Sequence, residues 1–385
     1  MIREFLQKKR GKKELLKCFR QGGIYLKYER NEQEFYVYPK IHSVVFKDNC
    51  REYCFTLPVG IDPSLLDKRF YVFRQMFGPN VFLEHVGNDK SFTLKVFKNG
   101  LPSLVKFDFD KFKPKMETCD IPIIMGVDHT GEFNVFDLKK FHHVQITGIT
   151  NVGKSVYLKA ILTALALYFS PDQLHFWLAD LKRAELTQFK SLAHTQHTVT
   201  SLDDLENMLH LLLDEVNRRY ELIEEYEVSH LDEVNKQLEK PLPHIICMID
   251  EFGLCSESKE ILKLVQDLTS IARAANVYLF LSLQRADSTV ITGIAKNNLG
   301  VRISFKQSNG INAKIAGVEG VDKLKLSDKG RAIMDVGSEI KLIQCPLITT
   351  EEVKSLIKPY IVDKPKNAGG SRPVELTEDE ILGGL

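Results

Sequence analysis

Eight consecutive residues, Gly148-Ile149-Thr150-Asn151-Val152-Gly153-Lys154-Ser155, spell G-x-x-x-x-G-K-[ST] in full. The glycines let a backbone curl so that several N–H groups point inward and cradle phosphate oxygens. Lys154 would reach the β- and γ-phosphates of a nucleoside triphosphate, and Ser155 would offer its hydroxyl to Mg²⁺. The flanks fit this chemistry. An apolar strand, VQIT, leads in and a helix, SVYLKAILTALALYF, leads out, so the loop ends at a helix N-terminus that favours anions. ATP and Mg²⁺ are therefore the expected cofactors.

Two further strand ends carry polar groups suited to the same ligand. His244-Ile245-Ile246-Cys247-Met248-Ile249-Asp250-Glu251 is an apolar run closed by two acids. A buried strand of this kind delivers carboxylates to its C-terminal rim, where open α/β sheets bind ligands. Asp250 would hold Mg²⁺, largely through water, and Glu251 would polarise the attacking water. Val277-Tyr278-Leu279-Phe280-Leu281-Ser282-Leu283-Gln284 ends in a polar Gln284, which could sense the γ-phosphate. Either run alone also reads as a core strand with a solvated polar end. Together with the glycine-rich loop they read as one site.

Elements must bring these ends to one place. From about residue 122, apolar strands alternate with helices. The strands are Val144–Thr147, His175–Ala179, Ile245–Ile249, Val277–Leu283, Val301–Phe305 and Arg331–Asp335, with helices near 154–169, 202–227 and 258–274. Near-continuous apolar strands separated by helices imply a mainly parallel sheet covered by helices on both faces. Upstream, IYLKYER, EFYVYPK, HSVVF and YCFTLPVG cluster β-formers between polar turns, and Asp62-Pro63 opens a helix that Gly78-Pro79 stops. Strands Val81–Val86 and Phe92–Phe97 complete a small α+β domain. The expected organisation is a basic leader helix over 1–20, the α+β domain over 21–120, a P-loop motor domain over 121–363 and an acidic tail over 364–385. The segment KFKPKMETCDIP, near 111–122, reads as a linker.

The chain has 385 residues, 44% hydrophobic and 27% charged, in the range of globular proteins. Collagen-like and low-complexity classes are excluded. The net charge of +1 hides an asymmetry: residues 1–120 carry 23 Lys/Arg against 15 Asp/Glu, and the remainder 29 against 36. The N-terminal third could meet a polyanion. MIREFLQKKRGKKELLKCFR allows a basic amphipathic helix suited to anionic lipid, nucleic acid or a partner, and equally a solvated leader. It lacks the apolar core of a signal peptide. The most apolar stretch, Ala160 to Phe169, is too short to cross ~30 Å of hydrocarbon. Seven cysteines without a CxxC pair suit a reducing cytosol, and Cys50 and Cys54 lack the second pair a zinc site needs. Trp177 and the phenylalanines of 55–97 read as core, and His142-His143 have no partners at ligand spacing.

These motifs resemble the FtsK/SpoIIIE branch of the HerA–FtsK superfamily, RecA-like motors that translocate double-stranded DNA. The resemblance covers about 140–353. It includes both nucleotide motifs, HFWLADLKRAEL, DEVNRRYELIEEY and ARAANVYLFLSLQRADSTVITGIAKNNLGVRISF. GVDKLKLSDKGRAIM is similar to the family's Leu-Gly-x-Gly-Asp-Met region, with Asp328-Lys329-Gly330-Arg331 departing from it. The resemblance implies a ring, usually a homohexamer, with ATP between subunits and Arg302 reaching the neighbour's nucleotide. It places Lys314, Lys323, Lys325 and Lys341 along a channel where they would grip duplex phosphates without reading sequence. Asp180, Lys182 and Glu185 match the family pattern as structural or coupling residues.

No membrane anchor is visible, and the 32 residues after Val353 are too few for a winged-helix reader. The compact form resembles coupling-type ATPases of Gram-positive conjugative elements. The expected function is thus an ATP-driven duplex-DNA translocase for conjugative transfer or mobilisation. It would be cytoplasmic, with a relaxase or a membrane transfer-complex protein as partner. Two alternatives remain at this point: a type VII-like protein-secretion ATPase, and a nucleotide-dependent docking module with little turnover.

Overall fold

A computed structural model describes residues 2–47, 49–85, 90–98, 100–284, 297–337 and 339–362. The expected tail over 364–385 lies outside the described residues. The chain divides into two compact units, one comprising 1–102 with 129–132, the other 103–128 with 133–385.

The first unit opens with helix α1 (Ile2–Gln21), followed by the hairpin β1 (Leu26–Arg30) and β2 (Gln33–Val37). Asn31 and Glu32 both take positive φ at its turn, the twist that two-residue hairpin loops require. Strands β3 (Lys40–Phe46) and β4 (Cys50–Thr56), helices α2 (Ser64–Lys68) and α3 (Phe70–Phe77), and strands β5 (Val81–His85) and β6 (Ser91–Phe97) complete it. The last four strands form an antiparallel sheet in the order β3-β4-β6-β5. The basic helix expected over 1–20 packs into this unit rather than standing as a solvated leader. Leu15, Cys18 and Phe19 of α1 are fully buried with Tyr53, Phe55 and Phe73, so the helix belongs to this core. Each large apolar side chain so buried contributes roughly 1.5–3 kcal/mol, while Lys9, Lys12, Lys13 and Lys17 stay outside.

The segment read as a linker is helix α4 (Phe109–Met116) and belongs to the second unit. Phe112, Met116 and Ile121 are fully buried there, which a solvated linker cannot offer. Strands β7 (Pro122–Val127) and β8 (Phe133–Asp137), helix α5 (Leu138–Phe141), strand β9 (Val144–Thr147), helix α6 (Lys154–Tyr168), and strands β10 (Leu174–Asp180) and β11 (Thr195–Val199) follow. Then come α7 (Leu202–Glu225), α8 (Leu231–Asn235), β12 (His244–Asp250), α9 (Lys259–Ile271), β13 (Val277–Leu283), β14 (Val301–Phe305), β15 (Arg331–Val336) and β16 (Glu339–Gln344). They build one ten-stranded sheet ordered β11-β10-β12-β13-β9-β14-β15-β16-β7-β8. From β11 to β14 all neighbours are parallel, and from β14 to β8 all are antiparallel.

The period of two sorts the central strands onto two faces. Ile246, Met248, Phe280, Ile146 and Ile303 share one core with Leu158, Ile161 and Leu165 of α6. Cys247, Ile249, Leu279 and Leu281 share the other with α7 and α9. This is the RecA-like P-loop arrangement expected. The strand entering the glycine-rich loop, β9, is separated from the acid-tipped β12 by β13 alone.

Candidate nucleotide-binding site

Alternation along β12 puts Asp250 on the same face as Met248 and Ile246, the face that α6 covers. Lys154 opens α6 immediately after the loop. The two meet: Lys154 Nζ lies 3.6 Å from Asp250 Oδ1 and 3.0 Å from Glu251 Oε1. Glu251 leaves the alternation through a left-handed backbone, φ 58°, uncommon for a residue with a Cβ. Next door on β13, Ser282 continues the face of Phe280, and its hydroxyl donates to Asp250 Oδ1 at 2.7 Å. All four side chains are buried. Burial pushes the Asp250 carboxyl above its ordinary range, while the Lys154 charge and the Ser282 hydroxyl hold it back.

The loop is held open by its neighbours. Gly148 N–H donates to the Leu283 carbonyl at 3.2 Å and Ile149 N–H to the Lys306 carbonyl at 3.1 Å. On the other side the Val152 carbonyl accepts from Gly330 N–H at 2.7 Å. Gly153 sits at φ 109°, and a Cβ there would meet Gly330 N at 2.8 Å. The first amides of α6, just after Gly153, have no partner within the helix and are the donors a helix N-terminus offers to an anion. A further cation reaches the same acids, since Lys182 Nζ lies 3.2 Å from Glu251 Oε1. A glycine-rich loop, a lysine and two carboxylates thus converge at the carboxyl ends of the central strands β9 and β12. The Ser155 hydroxyl and the Asp250 carboxylate are hard oxygen donors of the kind Mg²⁺ takes alongside water and phosphate.

Residues 109–250 match the profile of the FtsK/SpoIIIE family. The chain carries an FtsK/SpoIIIE domain. It is 35% identical over 204 residues to the DNA translocase FtsK of Treponema pallidum, covering 51% of this chain and 26% of that protein. The FtsK of Caldanaerobacter subterraneus is 30% identical over 296 residues, 73% of this chain and 42% of its own. The chain therefore spans 26% and 42% of the length of these two relatives. Among solved structures, the ATPγS-bound monomer of the pCW3 conjugation coupling protein TcpA superposes with TM-score 0.60 at 22% identity, over 90% of this chain and 98% of that one. The cytoplasmic domain of the Thermomonospora curvata type VII secretion ATPase EccC superposes with TM-score 0.59 at 22% identity, over 66% of this chain and 33% of that one. At these identities the two structures show the shared fold.

The remaining expected residues can be located beside the FtsK/SpoIIIE domain's glycine-rich loop. Gln284 follows Leu283, whose partner in register is Thr147, so it lies next to the start of the loop. Arg302 pairs in register with Gln145, two residues before that strand ends, and lies beside Asp335 at 3.7 Å. Lys314, on the helix Gly310–Ala316, and Lys323 and Lys325 beyond it are exposed. Lys341, on β16, is half-buried and 3.1 Å from Glu339. Arg285 to Lys296, part of the stretch most specific for the family, lie outside the described residues. Trp177 and His143 are buried, as core residues should be. Ser282 is a functional candidate not marked in the sequence; its signal is a single serine in an otherwise apolar and aromatic strand.

Proposed function

We propose that the chain is an ATP-hydrolysing motor that moves double-stranded DNA, serving conjugative transfer or mobilisation of a mobile element or plasmid. The observation that carries this reading is the meeting of Lys154 with Asp250 and Glu251, at 3.6 and 3.0 Å, at the mouth of the glycine-rich loop. A docking scaffold has no use for a second acid there, whereas water activation needs one. Lys154 and the loop amides bind the phosphates, and Ser155 and Asp250 hold Mg²⁺. When bound, the ion neutralises charge on the transferring phosphoryl group. Gln284 senses the γ-phosphate. Arg302, set two residues back from the loop end of its strand, is offered to the nucleotide of a neighbour in a homohexamer. Lys314, Lys323, Lys325 and Lys341 grip duplex phosphates. The protein works in the cytoplasm and reaches the membrane through a partner, a relaxase or a transfer-complex protein.

Phosphate release with and without duplex DNA tests the reading. Glu251→Gln should keep ATP affinity and lose turnover by ~100-fold or more, because the metal ligand stays and the base goes. Lys154→Ala should lose nucleotide binding. Stimulation by duplex should fall steeply with salt, as contacts to phosphate do. Unchanged turnover in Glu251→Gln overturns the mechanism. The likeness to the EccC cytoplasmic domain favours a second reading with a protein cargo. Turnover raised by a peptide and indifferent to duplex DNA would select it.

A further inference from the structure

Glu251 meets two lysines on one oxygen. Lys154 Nζ lies 3.0 Å and Lys182 Nζ 3.2 Å from Oε1. In the proposed site Lys154 turns to the phosphates when they arrive, which leaves Lys182 on this oxygen. Lys182 stands on the loop after β10, and that loop is braced at several points. The Asp180 carboxylate accepts from the backbone N–H of Ala184, Glu185 and Leu186 at 3.1, 3.0 and 2.9 Å. Glu185 pairs with Lys159 of α6 at 2.9 Å, so the loop is tied to the helix that carries the phosphate-binding lysine. Beside Lys182, Arg183 takes a left-handed φ of 56°, and Glu251 itself one of 58°. Such conformations in residues with a Cβ persist only where the surroundings hold them, and they gather at functional sites.

We infer that Lys182 is a positioning residue that aims Glu251 at the water attacking the γ-phosphate. The inference rests on the proposed ATPase reading and assigns a part within it. As Lys154 turns to the phosphates, Lys182 keeps Oε1, and Oε2 is left as the acceptor for water. The water oxygen bonds to the γ-phosphorus as the bond to the β,γ-bridging oxygen breaks. ADP leaves, and the water proton passes by way of Oε2 to the released phosphate. Lys182 also leads outward: its side chain is 41% exposed against 10% for Glu251. The aim of the base is therefore tied to a loop accessible from the surface.

The test uses the full chain, with turnover measured by phosphate release and affinity by titration of a fluorescent ATP analogue. Lys182→Ala should lower kcat ~10-fold or more and leave the dissociation constant within ~2-fold, the pattern of an interaction that matters in the transition state. Lys182→Arg, which keeps the cation, should recover much of the rate. In a Glu251→Gln background the alanine change should cost nothing further, since residues acting through one another are not additive. Wild-type turnover in Lys182→Ala, or an equal loss in both backgrounds, overturns the role of Lys182 alone. Should the alanine variant fail to fold, Lys182→Gln in both backgrounds decides the same question by the same two measurements. A wild-type chain that Glu251→Gln does not slow overturns the ATPase reading itself.

Discussion

At the scale of single residues, the site depends on how a buried carboxylate is kept ionised. Asp250 is 2% exposed, and its burial raises its pKa. The Lys154 charge opposes this first, and the Ser282 hydroxyl at 2.7 Å and the Glu251 backbone N–H add to that opposition. Hydrogen bonds to charged groups contribute ~1.5–3 kcal/mol. Ser282→Ala should therefore raise the Mg²⁺ concentration needed for half-maximal turnover several-fold, with little change in kcat at saturating metal. A metal titration of phosphate release checks this, and an unchanged midpoint would remove Ser282 from the site. The glycine-rich loop, Asp250 and Glu251 were legible in the sequence because each is marked locally, by glycine spacing or by acids closing an apolar run. Ser282 and the Lys182–Glu251 pair were not. Their contacts arise only once β13 lies between β12 and β9 and the loop after β10 folds back, and strand order is not written in any local pattern.

At the scale of elements, the parallel half of the sheet was readable and the antiparallel half mostly was not. β9, β10, β12 and β13 are apolar runs separated by the helices α6, α7 and α9, a strong periodic signal, and β14 is a further apolar run. β7 and β8 follow the charged segment read as a linker and bury themselves against β16 and α4, partners distant or unrecognised in sequence. The consequence for the site is a clasp. The stretch from Lys329 to Gln344 seats Gly330 against Val152, and the Gly330 carbonyl accepts from Cys345 N–H at 2.8 Å. The departure Asp328-Lys329-Gly330-Arg331 from the family pattern therefore still contacts the loop. Gly153→Ala should abolish ATP binding, because its Cβ would meet the backbone of Gly330 at 2.8 and 2.9 Å, which cannot yield as a side-chain tip can. Gly330→Ala should be milder. Its Cβ meets the side-chain tip of Gln344 at 2.9 Å and the Cys345 carbonyl at an ordinary 3.5 Å, so the main cost is the left-handed φ of 76°, about 1–2 kcal/mol. Equilibrium binding of an ATP analogue orders the two variants, and equal affinities would deny the clasp its role.

For the whole molecule, none of the described helices is long and apolar enough to cross a membrane, and stability rests on buried cores in each unit. The second unit also buries histidines, which makes it sensitive to acid. His143 is 1% exposed, and its Nδ1 accepts from Leu279 N–H at 3.0 Å, a role only the neutral ring can fill. Burial, with His142 adjacent, lowers its pKa from 6.5 to about 3. Burial likewise lowers His142, His175 and His244 to about 4. For each, the folded state binds a proton less readily than the unfolded chain. The stability is therefore full above pH 6.5 and is lost as the pH falls from there toward the folded values. Between pH 7.5 and 5.5, His143 alone accounts for about 1.4 kcal/mol, or roughly 2–4 °C in Tm for a unit of this size. The other three act in the same direction. His143→Asn keeps an acceptor toward Leu279 and cannot titrate. It should lower Tm at pH 7.5, where the smaller side chain packs less well, yet narrow the difference in Tm between pH 7.5 and 5.5. Thermal melts at the two pH values decide the matter: an undiminished difference in the variant would place the acid sensitivity elsewhere than His143.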